Sequence, residues 1–87
     1  MTGRETSETH RLVRAIVVLI RNTTWKCGRL ERLIVNYLSE KARGFGKTPI
    51  GVSDMIQSFE MTGKRKNEFL DAIRRLERRN IIRILSV

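Results

Sequence analysis

Gly46-Lys47-Thr48 is the stretch of this 87-residue chain whose residue types could cradle a phosphate in a loop. The nucleotide-binding loop carries a further glycine five positions earlier, and that position holds Lys41. The segment also follows a helical pattern, whereas such a loop joins a strand to a helix, so nucleotide hydrolysis is not expected. One histidine, His10, and one cysteine, Cys27, cannot supply the four ligands of a structural zinc site. They offer no convincing nucleophile and base pair either. Glu68 and Asp71 are interleaved with Lys64, Arg74 and Arg75 at helical spacing, where ion pairing along one face is the simpler account. No catalytic residue, metal, cofactor or small-molecule ligand is therefore expected, and the chain does not read as an enzyme. Cys27 reads as a small packed residue beside Trp25, and a lone cysteine excludes a disulfide within one chain and suits a reducing compartment.

What the chain has in quantity is positive charge. Eighteen Lys and Arg face nine Asp and Glu, a formal charge of +9, and 13 of the 18 bases are Arg, the better bidentate partner for phosphate. The surplus is uneven: residues 10–47 carry +7 and residues 62–87 carry +5, with −2 on residues 48–61 between them and −1 on residues 1–9. With 31% charged and 40% hydrophobic residues the composition is that of an ordinary globular domain, and 87 residues bury one small core. The longest unbroken apolar run, Ala15 to Ile20, is far below the ~20 residues that cross a bilayer. No membrane partner is expected; a polyanion in the cytoplasm is.

The elements that would position this charge follow from the apolar spacing. Residues 1–7 are small and polar and read as a disordered start. Over residues 8–22 the apolar run can be a helix or, being β-branched, a buried strand. Helix is preferred, because His10, Arg11, Arg14 and Arg21 then gather in one arc. Thr23 or Thr24 is placed to cap a helix over residues 27–42, with Leu30, Leu33, Ile34, Tyr37 and Leu38 as its inner stripe and Gly44 at its end. A short strand over residues 50–52 leads to Ser53 as the cap of a short helix, residues 54–60. Thr62-Gly63 breaks the chain before a long helix over residues 64–79, whose inner stripe is Phe69, Leu70, Ile73 and Leu76. Asn80 stops it, and residues 81–87 read as a strand.

This order, with the Ser53 cap and the helix, Thr62-Gly63, basic-helix junction, resembles the winged-helix variant of the helix-turn-helix domain over residues 23–87. Small proteins of that type include archaeal and archaeal-virus transcriptional regulators. The resemblance implies a mainly α fold with a minimal β-sheet, here with an extra N-terminal helix and a truncated or absent wing. It also implies sequence-specific binding of double-stranded DNA, with the helix over residues 64–79 in the major groove. The residues support this on their own account. Lys64, Arg65 and Lys66 crowd cations into a helix start that favours anions, which makes sense if phosphates arrive there. Asn67 suits adenine, and Arg65 or Lys64 suits guanine. Arg74, Arg75 and Arg78 lie further along, placed for backbone phosphates, with Ser53 and the basic loop residues Arg43 and Lys47 as further contacts.

The wide apolar surface of residues 8–22 would be a liability in a monomer, so a homodimer is expected through Leu12, Ile16, Leu19 and Ile20. Two-fold symmetry would then imply a pseudo-palindromic site. Two other functions fit the same charge: an architectural nucleic-acid-binding protein without base readout, and a helix-turn-helix fold reused to dock an acidic protein.

Overall fold

The run Ile16-Val17-Val18-Leu19 is a strand. In a computed structural model that describes residues 11–42 and 49–85, Ile16–Leu19 is β1, flanked by β2 (Ile50–Gly51) and β3 (Ile82–Leu85) in an antiparallel sheet of order β2-β1-β3. The expected helix over residues 8–22 is corrected. A helical turn, α1, occupies residues 11–14 and ends where the Ala15 N–H donates to the Leu12 carbonyl at 3.1 Å. Beyond it, side chains branched at Cβ lose χ1 freedom in a helix and pack well on a pleated surface. Two partner strands make the difference, because β1 bonds on both edges. Ile16 and Val17 face Gly51 and Ile50 on one side, and Ile16 to Leu19 face Leu85 to Ile82 on the other. Bonds from Val52 N–H to the Ala15 carbonyl (3.0 Å) and from Ile20 N–H to the Ile81 carbonyl (2.8 Å) continue the ladders.

Alternation along β1 sends Ala15, Val17 and Leu19 toward the helices, where Val17 is fully buried and Leu19 packs against the core. Ile16 and Val18 take the other face and are half-buried. Leu12 is itself a core residue, and only Ile20, 40% exposed, is largely open. The expected dimer surface is thus split: Leu12 and Leu19 are spent on this chain's own core. A symmetric interface through an apolar helix loses its basis.

Three further helices follow: α2 (Arg29–Ala42), α3 (Val52–Ser58) and α4 (Gly63–Arg78). Helix accounts for 59% of the described residues, so the chain is mainly α with a small antiparallel sheet. None of the described helices is long and apolar enough to cross a membrane. The inner face of α2 is rotated from the expected one. Glu31, Ile34, Val35 and Leu38 are buried, at the spacing of one helical face, while Leu33 is 42% exposed. Neither Thr23 nor Thr24 caps α2; the Thr23 hydroxyl accepts the Trp25 N–H at 3.2 Å instead. Ser53 is no cap either. It lies inside α3, because β2 runs straight into that helix through Gly51, whose N-cap position has no side-chain hydrogen bond.

The α3–α4 junction is set by backbone geometry. After α3, Glu60 takes a positive φ of 53°, with bonds from Glu60 N–H to the Gln57 carbonyl (3.1 Å) and from Met61 N–H to the Ile56 carbonyl (3.0 Å). This pair of bonds is the Schellman ending, and the buried Met61 anchors it. The same ending closes α4: Asn80 has φ 60° and donates to Glu77 (2.9 Å), and Ile81 donates to Leu76 (3.0 Å). Asn tolerates that conformation, and Asn80 stops α4 as expected. Gly63, with φ 58°, opens α4 in a conformation other residues rarely adopt. A chain of edge-to-face rings locks the junction to α2. The centroids of Tyr37 and Phe59 are 5.3 Å apart and those of Phe59 and Phe69 6.0 Å, and the Tyr37 hydroxyl shares a 3.2 Å hydrogen bond with Ser58.

Glu60 is a costly residue for its position, being left-handed without being Gly and acidic at a helix C-terminus. Glu60→Gly is expected to stabilise the fold by about 1 kcal/mol, a rise in melting temperature of roughly 4–8 °C for a domain of this size. Thermal denaturation followed by circular dichroism measures it; a lower melting temperature would contradict the assignment.

Candidate functional site

Glu31 is the one buried charged residue among the described residues, with 6% of its surface exposed. It stands three residues after Gly28 and reaches back, so that its Oε1 accepts the Gly28 N–H at 2.8 Å. This is the acidic half of a capping box, which satisfies one of the unpaired donors at the start of α2. Its Oε2 accepts Nε of Arg75, on α4, at 2.7 Å. Burial alone would raise the Glu31 pKa. The Gly28 N–H, the Arg75 hydrogen bond and the charges of Arg75 and Arg79 outweigh it, and the carboxyl is held below its ordinary 4.5. The start of α2 is thereby tied to the last two turns of α4. No buried side-chain N or O among the described residues lacks a partner.

One turn on, Arg79 clips the chain that leads into α2. Its Nη2 donates to the Trp25 carbonyl at 2.7 Å, and its Nη1 donates to the Lys26 carbonyl at 3.1 Å and meets Cys27 Sγ at 3.4 Å. Residues 24–27 form a turn closed by Cys27 N–H to the Thr24 carbonyl (3.1 Å), with Lys26 at φ 58° in its third position. That position favours glycine, so a lysine there is held against its backbone preference. The result is an open depression of about 440 Å³ lined by Lys26, Arg75, Arg78 and Arg79, with Glu31 as its one acid.

The outward face of α4 carries the rest. Lys64, Arg65, Asn67, Arg75 and Arg78 are exposed, and Lys66 and Arg74 are half-buried. The Thr62 N-cap makes no side-chain hydrogen bond, and the first turn of α4 holds cations and no acid. Arg74 lies 3.8 Å from Asp71, an exposed i, i+3 pair worth little in water. Arg75 is not simply a free phosphate ligand, because its Nε is committed to Glu31 while half of the side chain stays in solvent. Arg11, Arg74 and Arg78 line a second open groove, about 510 Å³, beside Ile84 of β3. Ser53 is exposed on α3, and Arg43 and Lys47 lie outside the described residues. No group of His, Cys, Asp and Glu among the described residues could hold a metal ion.

Glu31, Lys26, Arg79 and Trp25 are the members of this surface that sequence reasoning passed over. The signal for Glu31 was its place three residues after a helix-opening Gly28. For Arg79 it was the four-residue step from Arg75. Nothing local marked the Lys26 turn. Comparisons with protein-family models, with curated proteins and with solved structures find no match to this chain.

Because the folded Glu31 pKa is depressed, its stabilisation is present above the ordinary value of 4.5 and is lost as the pH falls through the folded value. Glu31→Gln is expected to cost about 1.5 kcal/mol at neutral pH, the worth of a hydrogen bond to a charged group. It should also flatten the loss of stability from roughly pH 5 downward. Urea unfolding across that range measures both, and equal acid sensitivity in the two proteins would show that Glu31 is not the responsible carboxylate.

Proposed function

We propose that this chain binds double-stranded DNA, with α4 lying in the major groove and the cations around its last turns gripping the flanking phosphates, in the manner of a small winged-helix regulator. The observation that carries this reading is the convergence of Lys26, Arg75, Arg78 and Arg79 on one depression beside the outward face of α4, where the one acid, Glu31 of α2, is already engaged by Arg75. A face built for solubility alone would disperse its charges and would not hold four bases around one acid in one depression against their remaining repulsion. Phosphate oxygens relieve that repulsion, and Arg and Lys are the groups that meet them.

The surroundings of α4 support the reading further. A short helix, a tight turn and a longer basic helix stand in the helix-turn-helix order, and the turn is fixed from behind by Tyr37, Phe59 and Phe69. In a winged helix the strand after the recognition helix is joined by a returning strand. Here β1 lies antiparallel to β3 in that place, so a strand preceding the helices does the work of the return. Asn67, exposed one turn into α4, is the residue suited to read a base, and Lys64 and Arg65 are its neighbours. One chain is sufficient for these contacts, and the reading does not need a two-fold dimer.

With about five phosphates neutralised, log affinity should fall against log salt with a slope of about −4.5, a loss of roughly 500-fold between ~50 and ~200 mM salt. Arg74→Ala and Arg78→Ala should each reduce that slope by about one and weaken all duplexes alike, while Asn67→Ala should relax discrimination at one position. Fluorescence anisotropy with labelled specific and random duplexes reads all three. Equal affinity for both duplexes would favour an architectural protein. No measurable affinity at low salt would sink the reading and favour docking to an acidic protein.

A further inference from the structure

Aromatic side chains are few in this protein, and all but one of those described are consumed by packing. Tyr37, Phe59 and Phe69 form the ring chain behind the α3–α4 turn. Trp25, the single tryptophan, is instead 70% exposed. An indole left in water this far is costly, and this one is not on a loose loop. Arg79 holds its carbonyl at 2.7 Å and the next carbonyl at 3.1 Å, and Lys26 Nζ stands 4.8 Å over its ring. The turn is pinned to the last turn of α4 and borders the basic depression through Lys26.

From this juxtaposition we infer that the Trp25-Lys26 turn is a second DNA-contacting element: Lys26 binds a backbone phosphate beside the groove that receives α4, and the Trp25 ring packs on the adjoining deoxyribose. The inference rests on the duplex-binding reading of α4 and adds to it a contact outside the helix-turn-helix. Three observations select this occupant. Lys26 stands over the ring and, with Arg75, Arg78 and Arg79, lines the adjoining depression, so a second copy of this basic chain would meet like charge there, whereas a sugar–phosphate strand offers the opposite charge and an apolar sugar face side by side. The turn carries a lysine in a backbone conformation that favours glycine, which trades fold stability for a cation at that place. And Arg79, by donating to the Trp25 and Lys26 carbonyls, holds the backbone of the turn that presents both side chains, lowering the entropy cost of contact.

The test uses Trp25 as its own reporter, since no other tryptophan contributes to the emission. A duplex is titrated into the full chain while Trp25 emission and the anisotropy of a labelled duplex are followed in parallel. The expected result is quenched Trp25 emission with the same midpoint as the anisotropy. Trp25→Ala should bind specific and random duplexes about tenfold more weakly at unchanged melting temperature, as expected for one aromatic contact. Lys26→Gly should melt higher than the parent yet bind more weakly. Anisotropy that reports binding while Trp25 emission stays constant and Trp25→Ala binds within twofold of the parent would overturn this inference and leave the reading of α4 standing. No anisotropy change at low salt would overturn the reading of α4, and this inference with it. Trp25 emission that follows protein concentration without DNA, together with association in sedimentation, would overturn it in favour of a second copy.

Discussion

The carboxylate of Glu31 is the constraint on which the basic face depends. A charge with 6% exposure persists only when its oxygens are matched, and here one is matched within α2 and the other by α4. The pair therefore does more than attract: it fixes the register of two helices whose other buried residues are apolar. Arg75 and Arg79 lie on successive turns, so once Arg75 is held the reach of Arg79 to the chain before α2 is also set. Both ends of the basic surface, the helix and the turn, follow from that one geometry.

The sheet supplies a second restraint at the far end of α4. The Schellman ending at Asn80 turns the chain directly into β3, and β3 pairs along its length with β1. An apolar strand from the start of the described chain thus closes the fold around helices that come after it in sequence. The pairing is long-range and contributes little until the whole domain is assembled, so cooperative unfolding of sheet and helices together is the natural expectation.

How much of this could be read from the residues varies with the range of the interaction that decides it. The long helix, its inner stripe of Phe69, Leu70, Ile73 and Leu76, and its stop at Asn80 are local patterns, and they stand where the spacing puts them. Residues 16–19 were not legible, because four β-branched or large apolar residues suit helix and strand alike and only partners 33–35 and 63–69 positions away decide between them. The rotation of α2 that exposes Leu33 and buries Glu31 has the same origin: a carboxylate looks like surface until the arginine 44 residues later is known to face it. Most of the basic residues proposed to contact DNA were visible as a stripe. The turn at Lys26 was not, since its conformation is imposed by Arg79 from 53 positions away.

The proposed DNA-contacting surface is the outward face of α4 and the turn beside it. Chemical-shift mapping of the isotope-labelled protein against a duplex tests it most directly, because it reports every amide and the Trp25 indole at once. The account predicts that the perturbed signals are those of Lys64, Asn67, Arg74, Arg78, Lys26 and the indole, with the outer sheet residues Ile16 and Val18 unmoved. Perturbations centred on Ile16 and Val18, or spread evenly over the molecule, would contradict it.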